Sequence, residues 1–432
     1  MICDNISIND KGHLCFAGQD VTDLAQKYGT PLYLLDENKV RENCRTYVDA
    51  MRKNYGEGGF RVLYASKANS FKKIYKIVDE EEMCIDVVSP GEIYTAKAAG
   101  FPLEYAYFHS NNKTDEDVSF AMDNKVGYFV VDCFEELDAI EKIAGEKGIV
   151  QNILLRLTPG IDTHTYEAVN TGKVDSKFGT AIETGQAEEI VKYTLTLKNI
   201  KLCGFHCHIG SMVFDSDTFL RGSEIMLDFI AYVKEKFGFI CEQLNLGGGY
   251  GIRYTENDPI MSVSENITQV ANHIKAKVAA LQLKIPMVIL EPGRSIVADA
   301  GMTLYTVGSV KKITGYKNYI SVDGGMSDNP RYALYQSEYT LFVANKANQK
   351  ADFLCDVVGR CCESGDIIQP AVTLPEAVRG DIIAVCTTGA YNFSMAMNYN
   401  RIPRPAMVIL KDGDSYVGVR RETLDDIIAN DL

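Results

Sequence analysis

Short apolar runs alternate with amphipathic stretches through the first two thirds of the sequence. The apolar runs cover residues 61–66, 84–89, 105–110, 128–132, 152–157, 201–209, 242–247 and 287–292. Helix-like stretches such as GEIYTAKAAG and ENITQVANHIKAKVAALQL lie between them. Apolar strands that alternate with amphipathic helices are typical of βα units around a buried parallel sheet. Eight such units within about 230 residues predict a (β/α)8 TIM-type barrel, a fold of about 250 residues.

The pattern changes after residue 291. Short alternating strands with Gly and Asp turns follow, for example GMTLYTVGSVKKIT, GDIIAVCTTGA and PAMVILKDGDSYVGVRR. Little helical pattern separates them, which is typical of an antiparallel β domain. The first 35 residues are also strand-like (HLCFAG, PLYLLD) and could belong to either domain. We therefore expect the α/β fold class, with a barrel and a mostly antiparallel β domain.

Composition and charge narrow the class of protein. The chain has 432 residues, 46% of them hydrophobic, and a formal net charge of −14. An acidic chain disfavours general nucleic-acid binding, which needs a basic face. The N-terminal MICDNISIND lacks the pattern of a secretory signal, and no apolar run is long enough to cross a membrane. The twelve cysteines never show CxxC spacing, so we expect reduced thiols, a cytoplasmic location and no membrane association.

Polar residues follow the ends of several predicted barrel strands, where a barrel carries its functional groups. Lys67 ends the first strand. A desolvated lysine amine at that position is a nucleophile for a carbonyl, although most lysines are solvated. His206 and His208 lie on one predicted strand and face the same side. They could bind zinc, but the sequence offers no third ligand nearby, so we expect no metal; ring stacking or a core position is as reasonable.

Two further strand ends carry a glycine run and a charged pair. Gly247, Gly248 and Gly249 offer backbone N–H groups to an anion such as phosphate, although glycine runs also form plain turns. Glu291 and Arg294 flank a Pro-Gly turn and could equally be a surface ion pair. Together, a strand-end lysine, a histidine, a glycine cradle and a carboxylate are what pyridoxal 5'-phosphate (PLP) requires.

Nine short motifs follow one another in a recognisable order. They are YASKAN, DVVSPGE, HSNNKT, GFHCHIGS, NLGGGYG, EPGRS, NPRYALY, CESGD and TTGAY. From about residue 30 to the C-terminus, the sequence resembles the diaminopimelate decarboxylases, in the alanine-racemase-like group of barrel-type PLP decarboxylases. The resemblance implies a barrel at 36–296, a β domain from 1–35 and 297–432, and a homodimer with shared active sites. It also implies decarboxylation of meso-2,6-diaminopimelate to L-lysine, the last step of lysine biosynthesis.

The resemblance assigns cofactor residues one by one. Lys67 matches the lysine that binds the cofactor aldehyde covalently, and His208 matches the histidine stacked on the ring, which leaves His206 as a core or supporting residue. Glu291 matches the acid that pairs with the pyridine nitrogen, and this favours decarboxylation over racemisation. The other implied cofactor contacts are Ser211, Gly247, Gly248, Gly249, Pro292, Gly293, Arg294 and Tyr391. Met212 departs from the family, which usually has glutamine there, and removes one amide near the cofactor.

Substrate selection can be argued from charge. The amino-acid substrate carries an ammonium and a carboxylate on the centre that does not react, so its site needs an acid and a base. Within the resemblance, Glu363 could bind that ammonium, while Arg331, Arg294 and Tyr335 could bind that carboxylate. A substrate without the carboxylate would confront Arg331 with an ammonium, so Arg331 is expected to separate the substrates. Tyr391 is expected at both the phosphate and the substrate.

The adjacent Cys361 and Cys362 are expected to differ. Strand alternation would send them to opposite faces, which makes Cys361 a core residue. Cys362 matches the family's cysteine before the substrate-binding glutamate, so the resemblance implies that it donates a proton to the carbon that has lost CO₂, in the active site of the partner subunit. Lys67, His208 and Cys362 are thus the expected catalytic residues. Residues 163–179, rich in Gly, Thr and Asn, fit a lid loop.

Two other interpretations stay open. One is a sister PLP decarboxylase of a polyamine precursor or basic amino acid, such as carboxynorspermidine, ornithine or lysine. The other is a catalytically silent regulatory homologue that binds a protein partner. Such a homologue need not keep Lys67 or Glu291, and this chain keeps both.

Overall fold

Residues 1–161 and 176–432 are described by the computed structural model, so the predicted lid lies outside the described residues as far as residue 175. The chain divides into two units. The first, the β unit, comprises Met1–Glu42, Ile252–Pro259 and Arg294–Leu432. The second, the barrel unit, comprises Asn43–Gly251 and Ile260–Gly293. The short segment Ile252–Pro259 lies inside the predicted barrel range but belongs to the β unit.

The N-terminal elements begin with a small antiparallel sheet. In chain order they are β1 (Ile6–Ile8), β2 (Leu14–Phe16), β3 (Gln19–Asp20), α1 (Val21–Tyr28), β4 (Leu32–Asp36) and α2 (Glu37–Tyr55). Strand β2 pairs with both β1 and β3. The Asp20 side chain accepts a hydrogen bond from the Thr22 N–H, which caps the first turn of α1 and fixes where this helix begins.

Eight parallel strands close a barrel within the described residues, and each overlaps one of the eight apolar runs. The strands of this region are β5 (Phe60–Ala65), β6 (Cys84–Val87), β7 (Ala106–Phe108), β8 (Tyr128–Val131), β9 (Gln151–Thr158), β10 (Thr180–Ala181), β11 (Ile200–His206), β12 (Gln243–Asn245) and β13 (Met287–Leu290). Pairing of β8 with β9 closes the ring. The short strand β10 pairs in parallel with the last two residues of β9. The helices between them are α3 (Lys72–Glu80), α4 (Pro90–Ala99), α5 (Asp115–Asp123), α6 (Phe134–Lys147), α7 (Gln186–Thr194), α8 (Ser216–Phe237) and α9 (Val263–Ala280).

The inside of the barrel is a packed core. Leu63, Tyr107, Val130, Leu154 and Ile289 come from five different strands and form one buried cluster. Side chains from alternate strands fill such barrels in layers, so the interior is not a channel. Chemistry is therefore left to the residues at the carboxyl ends of the strands.

The C-terminal elements form the main sheet of the β unit. They are α10 (Arg294–Val297), β14 (Gly301–Ile313), β15 (Lys317–Val322), α11 (Arg331–Tyr335), β16 (Leu341–Val343), β17 (Phe353–Val358), β18 (Ile367–Leu374), β19 (Ile382–Cys386), β20 (Ala406–Lys411), β21 (Asp414–Val419) and α12 (Leu424–Ile428). Strand β4 lies between β14 and β20 in this sheet, antiparallel to the first and parallel to the second.

The predicted fold class is confirmed, and β4 places the N-terminal strands in the β unit, which sequence alone left open. Most strand pairs in the β unit are antiparallel, with β4–β20 and β15–β17 as parallel exceptions. In the described part of the chain, no helix has both the length and the apolar character needed to span a bilayer.

Candidate active site

Lys67 lies in a single 3₁₀ turn, Ser66–Ala68, directly after β5. The turn is fixed at its end, where the Tyr64 hydroxyl donates to the Asn69 carbonyl at 2.9 Å. Lys67 is exposed, so the desolvated state considered for its amine from the sequence is not found. Lys67 is therefore an accessible amine at the end of a barrel strand.

Glu291, directly after β13, is a buried carboxylate with three hydrogen-bond donors. His109 Nε2 lies 2.8 Å from its Oε1 and His206 Nε2 lies 2.9 Å from its Oε2. Asn245 Nδ2 donates to Oε1 at 2.7 Å. Burial alone would raise the pKa of Glu291, but the two imidazoles outweigh it and hold this pKa well below its usual range. The carboxylate is thus kept ionised inside the protein.

His206 is a neutral ring that donates to this carboxylate. Burial lowers its pKa to about 4, although the neighbouring Glu291 charge opposes the change. With Nε2 on Glu291, Nδ1 is the bare nitrogen of the neutral tautomer, and it has no hydrogen-bond partner among the described residues. The rings of His206 and His109 meet edge to face, with centroids 4.9 Å apart. Sequence reasoning gave His109 no role, because only the fold brings it to Glu291.

The expectation that His206 and His208 share a strand is wrong. Strand β11 ends at His206, and His208 lies in the following loop, so alternation does not apply to the pair. A third metal-type ligand also exists, because the ligand atoms of His109, His206 and Glu291 lie within 4.8 Å of one another. Both histidines are within hydrogen-bond distance of the Glu291 carboxylate. We therefore interpret the cluster as a supported acid, that is, an acid that the two histidines hold in place through hydrogen bonds.

The glycine run after β12 forms a tight turn against the ends of two other strands. Gly247 and Gly249 have φ of 69° and 104°, a conformation that favours glycine. A Cβ on Gly248 would lie 2.1 Å from the Glu291 carbonyl oxygen, so the close approach requires its absence. The Gly248 N–H donates to His208 Nδ1 at 3.3 Å. Burial, followed by the charge of Lys67, lowers the pKa of His208 well below its usual value, so its ring is neutral.

Pro292 and Gly293 hold the Glu291 loop against the strand that carries Lys67. The Ala65 N–H donates to the Pro292 carbonyl at 3.1 Å, and a Cβ on Gly293 would lie 2.9 Å from the Ala65 Cβ. This packing is the structural reason for the Pro-Gly turn.

The loop after His208 contains two more residues predicted from sequence. Ser211 is half-buried, and Met212 adopts φ of 62°, which is uncommon for a residue with a Cβ. The Val213 N–H donates to the Gly249 carbonyl at 2.9 Å, which ties this loop to the glycine turn. Ser211, His208 and the glycines therefore belong to one loop cluster of the barrel unit.

The β unit contains a second polar cluster, built around Arg294, Arg331 and Tyr254. Arg294 Nη1 and Arg331 Nη1 both donate to the Tyr254 hydroxyl, at 2.8 and 2.9 Å. Arg331 also donates to the hydroxyls of Tyr339 and Ser337, each at 3.1 Å. All these acceptors are neutral hydroxyl groups. Burial lowers the pKa of Arg331, but the tyrosines more than offset it, so the guanidinium stays charged.

The two other residues predicted for this cluster lie at its margin. Tyr335 ends α11 and is half-buried, whereas Tyr339, four residues on, makes the hydrogen bond to Arg331. Tyr391 has φ of 65°, and its ring lies under the Arg294 guanidinium at 4.8 Å from the centroid. Tyr254 and Tyr339 were missed because nothing local to their sequences separates them from the other tyrosines.

Cys361 and Cys362 lie in a bend between β17 and β18, so the argument from strand alternation is wrong. Their burial nevertheless differs as expected, because Cys361 is buried and Cys362 is exposed. The Cys361 N–H donates to Asp366, whereas the Cys362 N–H donates to Asn400 Oδ1 at 2.7 Å. Glu363 is exposed as well. The bend thus buries one thiol and presents the other, with Glu363, at the surface of the β unit.

Comparison with known proteins adds three findings. A family model described as "Pyridoxal-dependent decarboxylase, pyridoxal binding domain" matches residues 37–298. The diaminopimelate decarboxylases of Bacillus methanolicus and Bacillus subtilis are 45% and 43% identical, covering 96% and 98% of this chain and 96% of each relative. The crystal structure of the M. jannaschii diaminopimelate decarboxylase with L-lysine matches with a TM-score of 0.90 and 33% identity, over 99% of this chain and 98% of that chain.

A barrel with a strand-end lysine, a supported acid and a glycine turn defines the class of barrel-type PLP decarboxylases. The donor set fits the cofactor, since PLP carries an aldehyde for an amine, a ring nitrogen for an acid and a phosphate for backbone N–H groups. Asp86 Oδ1, buried at the end of β6, also lacks a partner among the described residues, as expected where a polar ligand completes a site. The chain belongs to the diaminopimelate decarboxylase family, whose members are PLP-dependent carboxy-lyases.

Proposed function

We propose that this enzyme removes CO₂ from meso-2,6-diaminopimelate and releases L-lysine, the last step of lysine biosynthesis. The observation that carries the choice of substrate is Arg331, a buried guanidinium (5% exposed) that forms no ion pair with an acid among the described residues. A buried cation without an anionic partner is costly, and a substrate carboxylate would complete it. Ornithine and lysine have no carboxylate beyond the one at the reacting carbon, and diaminopimelate has.

The proposed cofactor residues lie mainly in the barrel unit, and Arg294 and Tyr391 are proposed as further cofactor contacts. When bound, PLP supplies a ring that accepts the electrons left as CO₂ departs. Lys67 would hold the cofactor covalently and exchange it for the substrate amine. Glu291 would keep the ring nitrogen protonated, because its own pKa is held well below the usual range. His208 would stack on the ring, and its neutral state adds no positive charge there.

The phosphate and the surrounding loops would be held by backbone groups. We assign Ser211, Gly247, Gly248 and Gly249 to the phosphate, because the loop that carries Ser211 is tied to the glycine turn by the hydrogen bond from the Val213 N–H to the Gly249 carbonyl. Pro292 and Gly293 would set the position of Glu291 next to the strand that carries Lys67. The division proposed from the sequence, a PLP-binding barrel at 36–296 and a β domain from 1–35 and 297–432, differs from the two units of the fold by a few residues at each boundary and by the segment Ile252–Pro259.

The ammonium and carboxylate on the centre that does not react would be recognised by their charges. Arg331 and Arg294 would bind its carboxylate, with Tyr335 and Tyr391 beside them, and Glu363 would bind its ammonium. An arginine pair opposed by a glutamate matches a group that carries both charges. This arrangement would disfavour a polyamine precursor, which presents only ammonium groups at that end.

We further propose a homodimer in which Cys362 and Glu363 serve the active site of the partner subunit. Both side chains are exposed at the surface of the β unit, as residues that act on a second chain must be. Cys362 would return the proton to the carbon that has lost CO₂. Since the twelve cysteines are free thiols, a reducing cytoplasmic location is proposed too.

The decisive experiment measures CO₂ release from diaminopimelate, ornithine and carboxynorspermidine by the purified, PLP-loaded enzyme. We expect release from diaminopimelate to exceed that from the other two by at least about a hundredfold in kcat/KM, the effect of losing one charge-assisted pair of bonds. Preference for either other substrate would assign the chain to a sister decarboxylase. No release and no cofactor absorption would favour the regulatory homologue.

Two measurements test the dimer and its thiol. Light scattering should give twice the mass of the chain, and a monomer with full activity would contradict the shared site. Cys362→Ala should slow turnover or misdirect the proton, whereas Cys361→Ala should affect mainly stability. Full decarboxylation to normal product by Cys362→Ala would refute its role as the acid.

A further inference from the structure

We propose that Tyr254 contributes to substrate selection: its hydroxyl holds Arg294 and Arg331 together as one carboxylate receptor, and its O–H donates a hydrogen bond to the bound carboxylate. This inference rests on the proposed function and adds a residue that the nine motifs do not assign. It concerns only contacts within the β unit.

The position of Tyr254 is fixed from several sides. Its ring meets the Tyr339 ring edge to face, with centroids 5.4 Å apart and planes at 84°. Its backbone N–H donates to Asp258 Oδ2 at 2.9 Å, and its carbonyl accepts from Thr340 Oγ1 at 2.9 Å. The side chain is only 5% exposed. A hydroxyl held in this way can fix the groups that bind it.

The hydrogen bonds of the Tyr254 hydroxyl leave its proton available. A phenol has two lone pairs and one O–H. Arg294 and Arg331 donate to the oxygen, at 2.8 and 2.9 Å, and can occupy both lone pairs. No acceptor for the O–H is found among the residues that the structure describes. The O–H is therefore available to a bound group, and an anion beside two guanidiniums is a suitable acceptor.

Charge supports the same conclusion. Burial would raise the pKa of Tyr254, but the two guanidiniums outweigh it and lower this pKa, which makes the hydroxyl a stronger donor. The two cations would repel each other without the shared oxygen. A carboxylate balances them, whereas an amine would add a third positive charge to the cluster. Tyr254 therefore helps to select a substrate that keeps a carboxylate after decarboxylation.

The test compares Tyr254→Phe with the unchanged holoenzyme, using two inhibitors that differ in one group. L-Lysine keeps the carboxylate, and 1,5-diaminopentane lacks it. We expect the KM for diaminopimelate and the Ki for L-lysine to rise about tenfold or more, the usual effect of removing a hydrogen bond to a charged group. The Ki for 1,5-diaminopentane and kcat should change less than about threefold, and the cofactor absorption should be retained.

The matched control is Tyr28→Phe. The Tyr28 hydroxyl also belongs to the β unit, but it donates to the Ser415 carbonyl at 2.8 Å, in a hydrogen bond unrelated to the arginines. This variant should leave KM and both inhibition constants unchanged. A purely structural role of Tyr254 would instead weaken both inhibitors to the same extent.

Equal weakening of both inhibitors, or an unchanged Ki for L-lysine, would overturn the inference. If Tyr254→Phe does not fold, Tyr339→Phe, which removes another hydroxyl acceptor of Arg331, decides in the same way: selective loss of L-lysine binding supports the receptor and equal loss refutes it. Failure of the unchanged enzyme to decarboxylate diaminopimelate would refute the proposed function instead, so the two failures are distinguishable.

Discussion

Glu291 in the barrel unit and Arg331 in the β unit are both buried charges, but the protein compensates them differently. Glu291 accepts hydrogen bonds from His109, His206 and Asn245, so each carboxylate oxygen is satisfied within the chain. Arg331 donates only to hydroxyl groups, with no acid partner among the described residues. The carboxylate of the first cluster already has hydrogen-bond donors on both oxygens, whereas the second cluster is short of negative charge.

This difference indicates that the two clusters have different roles in the reaction. A completed network fixes the ionisation of one group, which suits a residue that must act on a cofactor ring in every cycle. An incomplete network favours one kind of ligand, because a negatively charged ligand offsets the free-energy cost of the buried cation. Four substitutions can break or sharpen this contrast.

The largest effect is expected at the accessible lysine beside the completed network. Lys67→Ala should lower turnover by more than about a thousandfold, because the covalent link to the cofactor is lost. The free energy of unfolding should change by less than about 0.5 kcal/mol, since the side chain is exposed. Radiometric CO₂ release and urea unfolding measure the two quantities. Lys72→Ala, an exposed lysine at the start of α3, is the control.

Replacing the supported acid should damage both activity and stability. Glu291→Gln should lower kcat by about a hundredfold, since a neutral amide cannot keep the ring nitrogen protonated. It should also lower the free energy of unfolding by about 2 kcal/mol, because buried donors lose their charged acceptor. Steady-state kinetics and urea unfolding test the pair of effects. Glu104→Gln, at an exposed glutamate, should change neither, and a fully stable Glu291→Gln variant would contradict the completed network.

Replacing Arg331 in the incomplete network should lower activity without lowering stability. Arg331→Met should lower kcat/KM for diaminopimelate by about tenfold to a hundredfold. The free energy of unfolding without substrate should stay within about 1 kcal/mol or rise, because a buried cation without an acid partner is replaced by an apolar chain. Arg360→Met changes an exposed arginine and serves as control. Strong destabilisation by Arg331→Met would show that this charge is already balanced.

The last prediction concerns the pH dependence of stability. The pKa of His206 falls from 6.5 to about 4 on burial, so the unfolded chain binds more protons than the folded one between these values. Stability should therefore be full above pH 6.5 and fall as the pH drops towards 4, by up to about 1.4 kcal/mol per pH unit for one proton. His206→Gln should flatten this slope in urea unfolding at a series of pH values. An unchanged slope would mean that His206 stays protonated in the fold.

Much of the barrel could be predicted because its signal is local. Each apolar run overlaps one barrel strand, and its period and length require no knowledge of the rest of the chain. The ordered motifs likewise located Lys67, Glu291 and Arg331, because each lies in a contiguous stretch of distinctive residues. Errors occurred at strand ends, where alternation was extended past His206 and into the Cys361–Cys362 bend.

The sequence by itself determined the alternating elements, the class of cofactor chemistry and the identity of the candidate lysine, acid and arginine. Tertiary structure alone decided which distant side chains complete them. His109 reaches Glu291 across 182 positions, and Tyr254 reaches Arg331 across 77. Periodicity reports only the face on which a residue lies, whereas a hydrogen bond depends on the path of the whole chain. The partners that set charge and selectivity therefore became visible only in the folded protein.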